Sequence, residues 1–565
     1  NTLNTSLKIN QKLDFVTKGL SVQAMVNWKN WASSSYNRTI EPYYYGIKGG
    51  SYNPSNPTDY EIERLGTSGT DYLKTSDISK ASDQTFYLDA RVNYDRQFNL
   101  HHVTGMLMYM QREYRSSVLP ERNQGFSGRF TYDYGQRYLV ELNFGYNGTE
   151  RLAKKERFEF FPAVSLGWVI SNEKFFEPMT KYIDNLKIRG SYGLVGSDET
   201  GLSAGAQHFL YIDQVSLNNI GFTTGVDMNY TLYGPLVTNY AVVNGGWERV
   251  KKLDIGIDLE LFGQLTITAD YFNEKRYNIL LHREAWPESL GYYTAKPWSN
   301  KGKVDNWGIE LSVNWRKEFT KDLYVDFRGN FTYTENKYVN LDEPVYPYVW
   351  KTSTGKPLSR TTGYIAQGLF SSQEEIDNSP TQNLGSTVKP GDIKYRDVNG
   401  DGKIDGSDQV MISPYGTTPR IQYGLGMNVT YKKFDFGVFF NGSAKRTIMI
   451  SGISPFGQSD YNVMQFIADD YWSESNPNPN AKYPRLGLTS SQTANNTVAS
   501  TYWMRNGNFI RFKTLELGYK FKYGRVYLNG DNIAVFSPFK LWDPELSWNA
   551  YPLQRTFNIG VQLNF

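Results

Sequence analysis

The end of the chain alternates strictly between apolar and polar side chains. A β-strand points successive side chains to opposite faces, so this segment predicts a strand with one apolar and one polar face. Its length, about ten residues, is that of a strand that crosses a membrane. The segment is RTFNIGVQLNF, in which Phe557, Ile559, Val561, Leu563 and Phe565 form the apolar face. A final alternating strand that ends on an aromatic residue, here Phe565, resembles the C-terminal signal of outer-membrane barrels.

The same alternation recurs along the chain, and the faces opposite these apolar residues carry Lys, Asp, Asn, Thr and Arg. The pattern predicts many β-strands and few long helices, apart from a turn or two of helix near 172–182. Every second residue is apolar in the segments Leu20–Trp28, Phe86–Tyr94, Tyr138–Tyr146, Leu253–Leu261, Leu265–Tyr271, Ile309–Trp315, Leu323–Tyr333 and Ile421–Tyr431.

The connections alternate between short turns and long loops. Short turns are predicted at 17–19, 97–102, 134–137, 263–264, 317–322, 432–433 and 522–524, and the longest loops at 32–83, 196–247, 337–418 and 446–507. Bacterial outer-membrane barrels have short turns on one rim and long loops on the other. A soluble β-sandwich has no reason to separate its loops in this way, although it can also contain amphipathic strands.

The composition of the chain excludes several classes of protein and of functional site. The mean hydropathy is −0.54 and no apolar run reaches 18 residues, which excludes transmembrane helices. Aromatic residues make up 16% of the chain, as suits strands and the aromatic girdles of membrane barrels. The absence of cysteine excludes a disulfide scaffold and cysteine-based sites. A net charge of +3 gives no reason to expect nucleic acid as a partner.

These features predict an all-β fold, a transmembrane antiparallel β-barrel with about 17 strands in this chain. Bacterial barrels have even strand numbers, and ~22 strands are typical of plugged transporters. An odd number of strands is therefore expected to precede Asn1, and residues 1–565 are interpreted as the C-terminal part of a larger barrel.

Several segments resemble the SusC/RagA-type branch of the TonB-dependent transporters, and they follow the family order. They are 158–176 (FEFFPAVSLGWVISNEKFF), 186–197 (LKIRGSYGLVGS), 246–262 (GWERVKKLDIGIDLELF), 300–316 (NKGKVDNWGIELSVNWR), 363–377 (GYIAQGLFSSQEEID), 391–408 (GDIKYRDVNGDGKIDGSD), 478–487 (NPNAKYPRLG), 508–521 (NFIRFKTLELGYKF) and 525–545 (RVYLNGDNIAVFSPFKLWDPE).

The resemblance implies a 22-stranded barrel with an N-terminal plug, in the outer membrane. It also implies a SusD-like surface lipoprotein on the extracellular loops, and uptake driven by the TonB complex through a box ahead of the plug. Residues 1–565 contain neither plug nor box. The expected function is import of nutrient oligomers, glycan or peptide. A passive porin-like channel and a soluble carbohydrate-binding β-protein are the alternatives.

An acidic segment within the 337–418 loop matches the spacing of an EF-hand calcium loop. Gly402 stands at position six, where the loop turns sharply. Position twelve is Asp where Glu is usual, which leaves the choice between Ca²⁺ and Mg²⁺ open. The segment predicts a structural ion, with a solvated Asp/Gly turn as the alternative. The ligands would be Asp397, Asn399, Asp401, the carbonyl of Lys403, Asp405 and Asp408.

An enzyme is not expected. The four histidines are His101, His102, His208 and His282, and the first two fall in a predicted turn. The chain contains no zinc-protease, nucleophile-elbow or Walker motif, and no pair of carboxylates stands in a context that marks a glycosidase.

Loop aromatics are candidate substrate contacts, because aromatic faces stack on sugar rings and pack against peptide side chains. Girdle or loop-core positions are the alternative for each of them. They are Trp28, Trp31, Tyr43, Tyr44, Tyr45, Trp286, Trp298, Tyr346, Tyr348 and Trp350.

Overall fold

The computed structural model describes residues 1–116, 120–199, 210–242, 245–287, 289, 296–450, 463–487, 489–547 and 550–564. Within these residues, seventeen long strands belong to one antiparallel sheet, in agreement with the predicted number. Phe565 and His208 lie outside the described residues. The prediction that further strands precede Asn1 stays a prediction.

The strands of the sheet include all the predicted alternating segments, the last of them from Phe557 to Leu563. Their bounds are β1 Thr2–Lys12, β2 Leu20–Ser35, β3 Ser79–Phe98, β4 His101–Arg115, β5 Glu121–Tyr134, β6 Tyr138–Thr149, β7 Phe158–Val169, β8 Ile183–Ser197, β9 Glu248–Leu261, β10 Leu265–His282, β11 Trp298–Thr320, β12 Leu323–Asn340, β13 Ile421–Tyr431, β14 Phe434–Ala444, β15 Phe509–Phe521, β16 Gly524–Phe536 and β17 Thr556–Leu563.

The chain divides into two compact units. The first contains Asn1–Arg96, Thr104–Gly128 and Gly145–Glu150, and the second contains Gln97–Val103, Arg129–Phe144 and Arg151–Phe565. In the first unit β2 pairs with β1 and with β3, in uninterrupted antiparallel register.

In the second unit β7 to β17 pair in chain order, each with the next. The register aligns the apolar faces of neighbouring strands. Ile309 of β11 stands opposite Tyr271 of β10 and Tyr333 of β12, and Leu528 of β16 stands opposite Ile559 of β17. The alternation within each strand therefore becomes one continuous apolar face in this unit.

That apolar face is exposed. Ile559, for example, is 80% exposed. In a soluble sandwich, the same residues would pack against a second sheet. The soluble-protein alternative is therefore wrong for the described residues. Other exposed members of the face are Leu166, Ile188, Ile257, Ile309, Leu425, Leu517, Leu528 and Val561.

The connections confirm the predicted alternation of short turns and long loops. The short ones are 13–19, 99–100, 135–137, 262–264, 321–322, 432–433 and 522–523, and the longest are 36–78, 198–247, 341–420 and 445–508. The connection 170–182 is an exception, because it stands in the place of a short turn but is longer.

Small elements lie within these connections. In the part of the chain that the structure describes, the α-helices are α1 Gln373–Asp377, α2 Gln465–Ala468 and α3 Ser490–Thr497, and the 3₁₀ turns are Ile170–Asn172, Lys174–Met179, Val349–Lys351 and Gly406–Asp408. Two-stranded sheets join Arg38–Thr39 with Lys74–Thr75, Tyr44–Ile47 with Ile62–Leu65, Gln214–Thr224 with Tyr230–Asn239, Thr361–Gly363 with Val410–Ser413, Ala366–Leu369 with Ile393–Tyr395, Thr381–Gln382 with Lys403–Ile404, and Thr447–Met449 with Met504–Asn506. Among the described helices, none has the length and apolar character needed to cross a membrane.

Candidate functional site

The largest hydrophobic core of the second unit lies in its long connections. We call the described residues of 341–420, 446–507 and 537–547 the loop body. A sheet whose apolar face is exposed has little to bury on that side, so the apolar residues of the loops pack on one another. The buried residues are Tyr364, Leu369, Ile393, Tyr395, Ile404, Ile448, Ile450, Ile467, Trp472, Ala481, Tyr483, Trp503 and Phe539.

A buried ion pair joins two segments of the loop body. Asp392 has no exposed surface, and its Oδ1 lies 2.7 Å from Nε of Arg485. Asn496 Nδ2 donates to the same carboxylate at 2.6 Å, and the backbone N–H of Lys389 donates to it at 2.8 Å. Burial raises the pKa of the Asp392 carboxyl, and the Arg485 guanidinium opposes that rise. The carboxylate thus binds the 337–418 loop to the 446–507 loop.

Amide side chains extend this buried network. Gln382 donates to the carbonyl of Ile393 at 2.9 Å and to Oδ1 of Asn495 at 2.7 Å, and it accepts the backbone N–H of Tyr395. The hydroxyl of Tyr395 donates to the carbonyl of Asn495 at 2.9 Å, and burial raises the pKa of this phenol. Paired in this way, the buried polar groups fix the geometry of both loops.

Gly391 permits the close approach on which the network depends. Its φ is +87°, and a Cβ at this position would lie 2.2 Å from the ring of Trp472. Only glycine adopts this conformation without strain and leaves room for the ring.

Hydrogen bonds from the backbone of the acidic loop 397–408 to its own side chains hold the loop in a tight turn. Asp397 accepts the backbone N–H groups of Gly400 and Gly402, at 2.7 and 2.9 Å. Asn399 accepts the N–H of Asp401, and Asp401 accepts that of Lys403. Gly400 and Gly402 have φ of +75° and +81°, as the sharp turn requires.

The second half of this loop forms a capping box. Asp405 accepts the N–H of Ser407 at 2.7 Å, which holds the pKa of the Asp405 carboxyl below its usual range. Asp408 is fully buried and accepts the N–H groups of Asp405 and Val398. Among the described residues, no three His, Cys, Asp or Glu side chains lie together as a metal cluster. The predicted ion stays a prediction.

Two of the candidate aromatics pack against the acidic loop. The rings of Tyr348 and Trp350 stack, with centroids 4.8 Å apart and an interplanar angle of 10°. Trp350 Nε1 donates to the carbonyl of Ser407 at 2.8 Å, and Asn399 donates to the Tyr348 hydroxyl at 3.0 Å. These contacts favour a loop-core role for both rings.

The other candidate aromatics are dispersed. In the first unit, Trp28 stands opposite Phe86 on the exposed apolar face, which favours a girdle role, whereas Trp31 lies on the opposite face of β2. Tyr43 donates to Asp71 at 2.8 Å, while Tyr44 and Tyr45 are exposed in the hairpin that starts at Tyr44.

In the second unit, two of the remaining candidate aromatics make local contacts and the third is exposed. The guanidinium carbon of Arg283 lies over the ring of Trp286, 5.1 Å from the ring centroid. The rings of Trp298 and His282 are 3.6 Å apart. Tyr346 is exposed.

Two histidines also make local contacts, on β4 at the β3–β4 turn. His101 hydrogen-bonds to the hydroxyl of Tyr132 at 2.8 Å, and His102 lies 3.3 Å from a carboxylate oxygen of Asp133.

Sequence reasoning missed a polar groove on the loop body. It encloses a space of ≈ 980 Å³, and its lining is rich in neutral amide and hydroxyl side chains. Gln382 and Ser386 connect the lining to the buried network, since Ser386 accepts the N–H of Asn495 at 3.0 Å. The run SPTQNLGSTV at 379–388 could have indicated it by composition. The lining includes Gln373, Asp377, Ser379, Thr381, Asn383, Thr387 and Ser491.

Comparison with known proteins identifies the family of this chain. A family model described as "TonB dependent receptor-like, beta-barrel" matches residues 2–533. The SusC receptor of Bacteroides thetaiotaomicron is 28% identical over 469 residues, which cover 78% of this chain and 43% of that protein. TonB-dependent receptor P3 of Formosa agariphila is 25% identical over 478 residues, 78% of this chain and 45% of that protein.

A solved structure has the same fold. The RagAB peptide transporter aligns over 100% of this chain and 62% of its own, with a TM-score of 0.71 and 17% identity. The chain spans less than half the length of the curated relatives it matches. It belongs to the TonB-dependent receptor-like β-barrel family, on the SusC/RagA-type branch, and it is an outer-membrane protein.

Proposed function

We propose that the protein imports a nutrient oligomer, glycan or peptide, across the outer membrane. The observation that carries this proposal is the loop body. A passive pore needs no packed structure of two long loops with a buried ion pair between them. An importer needs a fixed surface on which a substrate binds before it passes through the barrel.

The groove provides chemistry suited to either substrate class. Its amides and hydroxyls donate and accept hydrogen bonds, as sugar hydroxyls and peptide groups both require. Among the described residues of its lining, Asp377 is the one carboxylate, which favours ligands without strong negative charge. Its volume lies near the upper end of small-molecule sites, typically about 300–1,000 Å³, so it fits a part of an oligomer.

The proposal includes two partners. A SusD-like lipoprotein would cover the loop body, in keeping with the RagAB name of the structural neighbour. The TonB complex would act on a part of the protein outside residues 1–565, since the curated relatives are more than twice as long as the matched region.

Uptake and conductance together test this function. Cells that carry the whole protein should accumulate labelled oligosaccharide or oligopeptide, and they should lose uptake when the proton gradient is collapsed. The purified whole protein should hold no steady current in a planar bilayer. A steadily open conductance, or uptake that survives loss of the gradient, would support the passive channel instead.

A structural Ca²⁺ at the acidic loop belongs to the same proposal. Carboxylate and carbonyl oxygens are the ligands that Ca²⁺ prefers, and each carboxylate oxygen that accepts one N–H still has a free lone pair. Because the side chains do not form a cluster, binding requires Asp397, Asp401 and Asp405 to turn toward one another. Mg²⁺ demands near-ideal octahedral geometry, whereas Ca²⁺ accepts more varied arrangements of oxygen ligands, so Ca²⁺ is the better fit to this loop.

A calcium-dependent change in thermal stability tests the ion. Excess Ca²⁺ should raise the melting temperature of the loop body relative to a chelator, and Asp397→Ala should abolish the increase. Asp377→Ala, a change at the groove outside the acidic loop, should retain it. No increase at millimolar Ca²⁺ would leave the loop as a self-contained Asp/Gly turn.

A further inference from the structure

One connection at the short-turn end of the second unit differs from the others. Residues 170–182, which we call the rim segment, join β7 to β8 and contain two 3₁₀ turns. The other short connections of this unit are two or three residues long. A longer segment here requires an explanation, because the two neighbouring strands need only a tight turn to connect.

The rim segment has two faces of different character. Phe176 is buried, at 5% exposure, whereas the adjacent Phe175 is 67% exposed. Met179 and Tyr182 are 50% and 53% exposed. The segment therefore holds one aromatic ring in the protein and presents three large apolar side chains outward.

Hydrogen bonds around Glu173 hold the rim segment in place. Trp168 Nε1 donates to Glu173 at 3.1 Å, and the Arg137 guanidinium lies 3.4 Å from the other carboxylate oxygen. Asn172 donates to the carbonyl of Gln136 at 2.8 Å. The exposed side chains are thus presented from a fixed backbone.

The exposed side chains continue the apolar face of the sheet. Phe175 lies 6.4 Å from the ring of Trp168, which belongs to the exposed face of β7 and stands opposite Ile188 of β8. Tyr182 packs edge-on against Phe262 at 6.1 Å, and Phe262 is also exposed. Since the apolar face of an outer-membrane barrel contacts lipid, the medium that covers this face also covers the rim segment.

The short-turn end of such a barrel faces the periplasm. From this continuity we infer that the rim segment is an interfacial anchor in the periplasmic, phospholipid leaflet of the outer membrane. Phe175, Met179 and Tyr182 enter the boundary between head groups and acyl chains, where aromatic side chains are favoured. Lys174 and Lys181 are exposed beside them and meet the phosphates. The inference depends on the membrane location and not on the proposed transport.

Spin labelling tests the anchor directly. Residues 1–565 contain no cysteine, so Phe175→Cys or Met179→Cys directs a nitroxide to one position. Any cysteine elsewhere in the whole protein is first replaced by serine. Lys321→Cys, in the exposed β11–β12 turn, is the matched control. Both test residues are exposed, so neither change disturbs the core.

In phospholipid vesicles, the labels at 175 and 179 should collide freely with oxygen, which dissolves in the membrane. Their collisions with a water-soluble nickel chelate should be roughly threefold or more less frequent than those of the control label at 321. Equal access to nickel at all three positions would overturn the anchor. Shielding of both test labels from oxygen and nickel would show that protein covers the segment, and this would also overturn it.

Discussion

Asp392→Ala should open the loop body, because it removes one partner of a fully buried ion pair. In the variant, the Arg485 guanidinium loses the carboxylate 2.7 Å away, with only 14% of its side chain exposed to water. The amide of Asn496 and the backbone N–H of Lys389 lose their acceptor as well.

The magnitude follows from burial. Removal of one partner from a buried pair costs about 3–5 kcal/mol, because the other charge stays uncompensated. Some exposure of Arg485 places the expected loss in the lower half of that range, about 3.5 kcal/mol, which is roughly a 300-fold change in an opening equilibrium. The loss should be local, since the strands of the sheet do not depend on this pair.

Hydrogen exchange followed by mass spectrometry measures this loss in the whole protein. Amides of 389–395 and 483–487 should exchange roughly 300-fold faster, while those of β9 to β12 should not change. Glu374→Ala, an exposed change on α1, should stay within about 0.5 kcal/mol of the parent. An acceleration of less than about tenfold for Asp392→Ala would refute the role of the pair.

Three further predictions follow from the described contacts. Gly391→Ala should lower the free energy of unfolding of the loop body by about 3 kcal/mol or more, because the new Cβ clashes with the buried ring of Trp472. Gly355 also has a positive φ but lies in open space, so Gly355→Ala should cost about 1–2 kcal/mol. Denaturant melts measure both losses. The backbone N–H of Ser371 donates to Glu375 and holds the pKa of that carboxyl below its ordinary value. The ionised Glu375 therefore stabilises the loop body above the ordinary pKa, and this stabilisation is lost as the pH falls through the lowered pKa. Limited proteolysis should accordingly cut the loop body faster near pH 3 than at pH 6. Ile309→Arg should destabilise the folded barrel in vesicles by about 2–4 kcal/mol, and Glu310→Arg, on the opposite face, by less than about 1 kcal/mol.

The strands could be predicted because their signal is local. A period of two along Leu20–Trp28 or Phe557–Leu563 reports directly which face each side chain occupies, and short turns such as 432–433 separate neighbouring strands. The EF-hand spacing likewise located a real turn on Gly400 and Gly402. Its ion remains a prediction, because the spacing fixes which oxygens are near but not whether they converge.

The loop body could not be predicted, because its contacts join residues far apart in the chain. Asp392 and Asn496 are separated by 104 positions, and no periodicity relates them. The same limit applies to Tyr348 and Trp350, for which the sequence left a substrate contact and a loop-core position open, and whose contacts with the acidic loop only the structure shows. The rim segment was predicted only as a short helical stretch, since exposure of Phe175 and burial of Phe176 depend on the folded sheet.

A cysteine scan of 309–314 in phospholipid vesicles measures whether the apolar face of β11 points outward into lipid. A fluorophore at each position is exposed to a quencher attached to the lipid acyl chains. Strong quenching is predicted at Ile309, Leu311 and Val313, and weak quenching at the alternate positions Glu310, Ser312 and Asn314. Uniform quenching, or strong quenching at the even positions, would show that the apolar face does not point into lipid.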